Sequence, residues 1–129
     1  MGLLDKLFKS DGGETSKVTS FPWTKLTDKD QITIAMEESK DKLVGIFKHS
    51  TRCGISNMVL RTFEREYEEN EEVKLYFLDL IKDREISNAV ANELSVHHES
   101  PQFIVLRNEK VVHHASHQDI DASILKELD

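Results

Sequence analysis

Cys53 is the one cysteine among 129 residues, so any thiol chemistry of this protein runs through that sulfur. A lone cysteine cannot close an intrachain disulfide, which sets aside the disulfide-stapled secreted scaffold. It stands in a polar turn, KHSTRCGIS over residues 48–56, between a compact apolar run, KLVGIF over 42–47, and a stretch of helical periodicity. A thiol at a strand-to-helix junction faces unpaired backbone N–H groups and the positive end of the helix dipole. Both favour thiolate, so its pKa is expected below about 8.5. Arg52 adds positive charge beside it. Gly54 puts no side chain next to the sulfur and leaves room for a bulky disulfide partner. Ser56, one turn into the helix, is expected to hydrogen-bond the sulfur but cannot form a disulfide with it. The competing reading is a small buried hydrophobe, to which the flanking Arg and Gly are less suited.

Six histidines raise the question of a metal. His97-His98 and His113-His114 are adjacent pairs with His117 nearby, but neighbours on a strand point to opposite faces. No HExxH pattern is present and no second cysteine exists for a closed thiolate site, so no metal is expected. His98 and His114 are expected to hydrogen-bond within a loop or sheet end. A Cys–His hydrolase pair is possible chemistry, but no ordered triad signal supports it. The acidic run EREYEENEE, residues 64–72, reads as a solvated helix end and turn, and Asp79 as partly buried.

The elements that position Cys53 follow from periodicity. Residues 21–26, FPWTKL, read as a short edge strand, since Pro22 is tolerated at an edge. Thr27 or Asp28 is the expected cap of a helix over 30–40, with Ile32, Ala35 and Met36 on one face. Strand 42–47 follows, then a helix over 54–69 on Ile55, Val59, Phe63 and Tyr67. Strand 73–81 and helix 84–94 come next. Strands 102–106 and 110–115 form a hairpin about Asn108-Glu109. A helix over 118–128 closes the chain. The order β-α-β-α-β-α-β-β-α predicts a central sheet covered by helices on both faces, with an antiparallel part that makes it mixed.

The bulk numbers agree with one domain. Seventeen basic and 24 acidic side chains give a formal net charge of -7, which works against nonspecific attraction to nucleic acid or anionic membrane. No stretch approaches the roughly 18 apolar residues of a membrane span. Residues 1–9, MGLLDKLFK, form a short amphipathic run, and residues 10–20 read as a flexible linker, so the folded domain is expected over 21–129. Lys6 departs from the Ser or Thr that N-myristoylation wants, and the N-terminus lacks a signal-peptide core; a cytoplasmic protein is expected.

Two segments, KHSTRCGIS at 48–56 and HESPQF at 98–103, together with the stretch around His114, His117 and Ile120, resemble the monothiol bacilliredoxins of the bacillithiol system. The resemblance covers roughly residues 25–125. It implies a thioredoxin-like α/β fold and a nucleophilic Cys53. Ser56 falls where dithiol relatives keep a resolving cysteine. Pro101 matches the fold's cis-proline, implying a cis Ser100–Pro101 bond near the sulfur. Thr51, Gly54, Ile55, Ser100 and Pro101 are the substrate-contacting set it implies. The implied reaction is removal of bacillithiol from client-protein mixed disulfides. Bacillithiol is then a co-substrate with no tightly bound cofactor, and a second thiol or reductase system regenerates Cys53. Family members commonly place proline after the nucleophilic cysteine; here it is Gly54. CGIS thereby also resembles the CGFS of monothiol glutaredoxins, which use glutathione and bridge an iron–sulfur cluster. A non-catalytic interaction module is the remaining alternative.

Overall fold

The computed structural model describes residues 21–128. The expected N-terminal amphipathic run and linker, residues 1–20, lie outside the described residues. Five strands form one sheet: β1 Trp23–Lys25, β2 Leu43–His49, β3 Val73–Asp79, β4 Gln102–Arg107 and β5 Lys110–Ser116. Their order is β1-β3-β2-β4-β5. β1 and β2 run parallel to β3, whereas β4 runs antiparallel to β2 and β5. The sheet is therefore mixed. The helices are α1 Asp30–Glu38, α2 Gly54–Glu66, α3 Arg84–Leu94 and α4 Ile124–Leu128.

Every residue of β2 is buried, because it is central and covered on both faces. Its period-two alternation divides the core. Val44 and Ile46 join Ile32 and Ala35 of α1 and Ile86, Val90 and Leu94 of α3. Leu43 and Phe47 join Val59 and Phe63 of α2 and Leu125 of α4. Burial of each such side chain contributes about 1.5–3 kcal/mol relative to exposure. Gly45 sits where β2 meets Phe103: a Cβ there would lie 2.6 Å from the Phe103 Cζ.

Three expectations need correction. The first helix carries no Thr27 or Asp28 N-cap; Lys29 holds that position, while Asp28 accepts the Asp30 N–H at 2.8 Å just outside it. The second helix ends at Glu66, short of 69, since Tyr67 turns extended at φ -69 and ψ 130. The C-terminal helix is broken. A 3-10 turn spans His117–Asp119, Ile120 is extended, and only Ile124–Leu128 is α-helical. Asp121 accepts the Ser123 N–H at 2.9 Å, a local bond that competes with helix. The break lets Ile120, Ala122 and Leu125 all reach the α2 side of the core. The 108–109 turn is as expected, with both residues at positive φ, 54° and 64°.

Ser39 ties this hairpin to the body. Its carbonyl accepts the Asn108 N–H at 2.7 Å and its Oγ accepts the Glu109 N–H at 2.8 Å, while Oγ–H donates to Met36 at 2.6 Å.

Candidate functional site

β2 ends at His49, and the chain reaches α2 through Ser50, Thr51 and Arg52. Cys53 is the N-cap of α2, with extended backbone at φ -108 and ψ 121. Its side chain makes no capping hydrogen bond and is partly exposed. The helix begins without an acidic residue in its first turn. The amides of that turn are thus free of a competing carboxylate at the sulfur. A Cβ on Gly54 would meet nothing within 4 Å, so the approach to Cys53 on that side is open. Thr51, Arg52, Gly54 and Ile55 are all exposed around it. Ile55 and Met58 stand out as exposed apolar side chains on the first turns of α2, at 43% and 46% of full exposure.

Ser56 behaves differently from the expectation. It is fully buried, and its Oγ lies 2.7 Å from His49 Nδ1 while accepting the Ser50 N–H at 3.0 Å. Its hydroxyl is engaged with β2 and the loop, and the expected bond to the sulfur is absent. Ser50 in turn accepts the Cys53 N–H at 3.2 Å. Ser56 therefore pins the Cys53 loop to the strand it leaves.

His49 was not singled out by its position in the sequence. It is 3% exposed, faces α2, and lies across the ladder from Asp79. Burial lowers its pKa below the ordinary imidazole value, opposed by the Asp79 charge and a side-chain hydrogen bond with Asn57. The alternation that sends Phe47 and His49 toward α2 sends Lys48 to the opposite face, where it meets His98 in the loop after α3. This was the available signal: a run KLVGIFKH whose apolar alternation continues through two polar residues.

The antiparallel register pairs Lys48 with Gln102, so β4 begins beside the end of β2 that leads to Cys53. The Ser100–Pro101 bond is cis. Pro101 is buried, its carbonyl accepts the His117 N–H at 3.0 Å, and Ser100 Oγ is a buried hydroxyl without a partner among the described residues. The sheet thus brings the 50–56 turn and the 100–101 turn to one end of the molecule, while Arg52 is exposed.

The histidines do not converge. His98 bonds Lys48 at 3.1 Å, His117 lies 3.8 Å from Glu99, and His114 is exposed. Among the described residues, no group of three His, Cys, Asp or Glu could hold a metal ion, and no helix is long and apolar enough to cross a membrane.

Residues 24–125 match the family model described as monothiol bacilliredoxin BrxC. A solved structure given as a candidate oxidoreductase with a thioredoxin fold is 31% identical, with TM-score 0.71, over 82% of this chain and 92% of its own. Thioredoxin from Trypanosoma brucei brucei superposes with TM-score 0.62 at 23% identity, over 84% of this chain and 89% of its own. Fasciola hepatica thioredoxin does so with TM-score 0.61 at 21% identity, over 81% and 93%. At those lower identities the likeness is one of fold, and the mixed sheet with helices on both faces is that fold.

Proposed function

Because the chain belongs to the monothiol bacilliredoxin family, we propose that it removes bacillithiol from client-protein mixed disulfides through Cys53. The observation that carries this reading is the state of Cys53: the sole cysteine, partly exposed, at the N-cap of α2, with its sulfur uncapped.

The Cys53 thiolate attacks the bacillithiol sulfur of the mixed disulfide. A new Cys53–bacillithiol disulfide forms, the old disulfide breaks, and the client leaves with the electron pair as a thiolate. Its oxidation is thereby transferred, not lost. No second cysteine resolves the adduct. An external thiol, bacillithiol itself or a partner reductase, must attack it and return Cys53 as thiolate. Rates depend on thiolate fraction, leaving-group pKa and access. The amides of Ile55 and Ser56, at the second and third helical positions, are placed to stabilise charge on an N-cap side chain. Thr51, Gly54 and Ile55 on one turn and Ser100–Pro101 on the other form the contact surface for the incoming disulfide, with Arg52 as electrostatic support.

The test is a mass-resolved transfer assay. Wild type and Cys53→Ser receive one client protein carrying bacillithiol or glutathione. Wild type is expected to gain the bacillithiol adduct and free the client thiol, while the variant does neither. No adduct and no freed thiol would overturn the proposal. Preference for the glutathione client, or visible absorbance with cluster sulfide after anaerobic purification, would assign a glutaredoxin-like carrier instead.

A further inference from the structure

We propose that His98, backed by the ammonium of Lys48, binds the dicarboxylate malyl group of bacillithiol while Cys53 takes its sulfur. The inference rests on bacillithiol being the thiol handled in the preceding section.

The topology puts both groups at one end of the sheet. β2 and β3 run parallel, so His49 and Asp79 close them at the same end. Cys53 follows β2 there, and Arg84 opens α3 after β3. β4 runs antiparallel and starts at this end, with Gln102 opposite Lys48, and the segment 97–101 leads into it. Ligands of open α/β sheets gather at this carboxyl end of the parallel strands.

Buried polar side chains hold the 97–101 segment. Gln102 is buried; its Nε2–H donates to the His97 carbonyl at 2.9 Å and its Oε1 accepts the Glu99 N–H at 3.4 Å. Lys48 is wholly buried, and its Nζ lies 3.1 Å from His98 Nδ1. An ammonium only donates. The imidazole therefore accepts at Nδ1 and carries its own proton at Nε2. His98 is an exposed residue, so this Nε2–H is the donor left for a ligand. A carboxylate that accepts it gains a donor polarised by the ammonium on the other ring nitrogen.

The surroundings suit an anion. Arg84 is exposed, and its charge acts on the same imidazole as that of Lys48. The opposing charge is Glu99, which lies toward His97 and His117, at 4.0 Å and 3.8 Å from their Nε2 atoms. Among the described residues no carboxylate pairs with Lys48. In a chain of formal net charge -7 this is a local concentration of positive charge. A buried ammonium without a carboxylate costs the fold stability, and a carboxylate ligand on His98 offsets that cost. Bacillithiol is a cysteinyl-glucosamine glycoside of malate, so its dicarboxylate lies at the far end of the molecule from its sulfur. One molecule thus offers a thiol to Cys53 and an anion to His98.

The experiment uses the full-length protein carrying Cys53→Ser, so that binding is read without disulfide exchange. The His98 ring nitrogens are followed by 15N NMR while reduced bacillithiol is added, and separately cysteinyl-glucosamine, which lacks the malyl group. Bacillithiol is expected to shift the Nε2 resonance and to bind about tenfold tighter than cysteinyl-glucosamine, the order of one hydrogen bond to a charged group. His98→Glu, added to Cys53→Ser, gives Lys48 a carboxylate partner but sets negative charge against the ligand. The difference between the two thiols is expected to vanish. Lys48→Met leaves the imidazole and removes the charge behind it. The same loss is expected, with a urea midpoint no lower than that of the parent, so that unfolding is not its cause. Equal affinity for the two thiols in the Cys53→Ser protein, or a difference that survives in His98→Glu or in Lys48→Met, overturns the proposal. No client and no exchange step enter these measurements. A protein that transfers bacillithiol from clients yet binds both thiols alike loses the anion site alone, and one that binds bacillithiol through His98 yet gains no adduct loses the transfer reaction alone.

Discussion

The Nζ of Lys48 lies 3.1 Å from Nδ1 of His98, and that imidazole is the hydrogen-bonding partner of a lysine with no exposed surface. The Ser87 hydroxyl adds a weak contact to the same nitrogen at 3.5 Å. An ammonium buried without a carboxylate is costly. Burial accordingly pushes Lys48 down from 10.5 to about 8.

This sets a pH dependence. The unfolded chain holds the Lys48 proton up to its ordinary pKa, whereas the folded chain releases it near pH 8. Between those values the unfolded state binds more protons, so stability rises with pH through that window; below it the penalty is present in full. Lys48→Met is expected to stabilise the protein at pH 7 by about 1–3 kcal/mol, the order of the shift at 1.36 kcal/mol per unit. The gain should shrink as pH rises from 8 toward 10.5. Urea unfolding of both proteins across that range checks it; a pH-independent difference would show that packing, not charge, is responsible.

Gly54→Pro is expected to stabilise. The residue opens α2, where proline is favoured, and no atom lies within 4 Å of its Cβ position. Cys53 before it has φ -108 and ψ 121, within the range a following proline demands. The unfolded chain loses freedom that the folded chain never uses, for a gain of about 0.4–1 kcal/mol. Thermal unfolding should show a higher midpoint; a lower one would mean that the Gly54 amide is needed in the folded state.

Gly45→Ala is expected to destabilise by about 1–3 kcal/mol through overpacking. Its Cβ would fall 2.6 Å and 2.8 Å from Phe103 ring atoms and 3.0 Å from Leu75 Cδ2, and neither neighbour has exposed surface into which to move far. Since Phe103 also packs on Phe63 of α2, at 4.9 Å between centroids, the strain should reach the helix that carries Cys53. Equilibrium unfolding measures the loss, and slower amide exchange in α2 of the variant would contradict it.

Ser39→Ala is expected to cost about 0.5–1.5 kcal/mol, because it removes the acceptor of the Glu109 N–H. That bond joins residues 70 apart in the chain, at 2.8 Å. The effect should be local: faster amide exchange at Asn108 and Glu109 with Cys53 alkylation unchanged. Uniformly faster exchange would argue against a local tie.

The elements around Cys53 were legible because each rests on a local signal. KLVGIF is short, apolar and followed by polar turn residues, and Ile55, Val59 and Phe63 repeat at helical spacing. Strand–helix alternation with a closing hairpin was enough to specify a mixed sheet covered on both faces. The placement of Cys53 at a helix start followed from these, and the family resemblance singled out Pro101. The break before α4 was not legible, since Ile120, Ile124 and Leu125 have helical spacing in the chain whether or not one helix carries them. Burial of Ala122 together with the Asp121–Ser123 bond decided otherwise.

Sequence alone thus determined that one thiol does any thiol chemistry, that it opens a helix, and that no second sulfur resolves its adducts. Those are statements about composition and short-range order, which a chain carries in any conformation. Only the tertiary structure decided what Ser56 does. Its hydroxyl turns to His49 because β2 and α2 pack face to face, and strand alternation points His49 rather than Lys48 at that interface. Hydrogen bonds between packed elements depend on which faces meet, and no local pattern encodes that meeting.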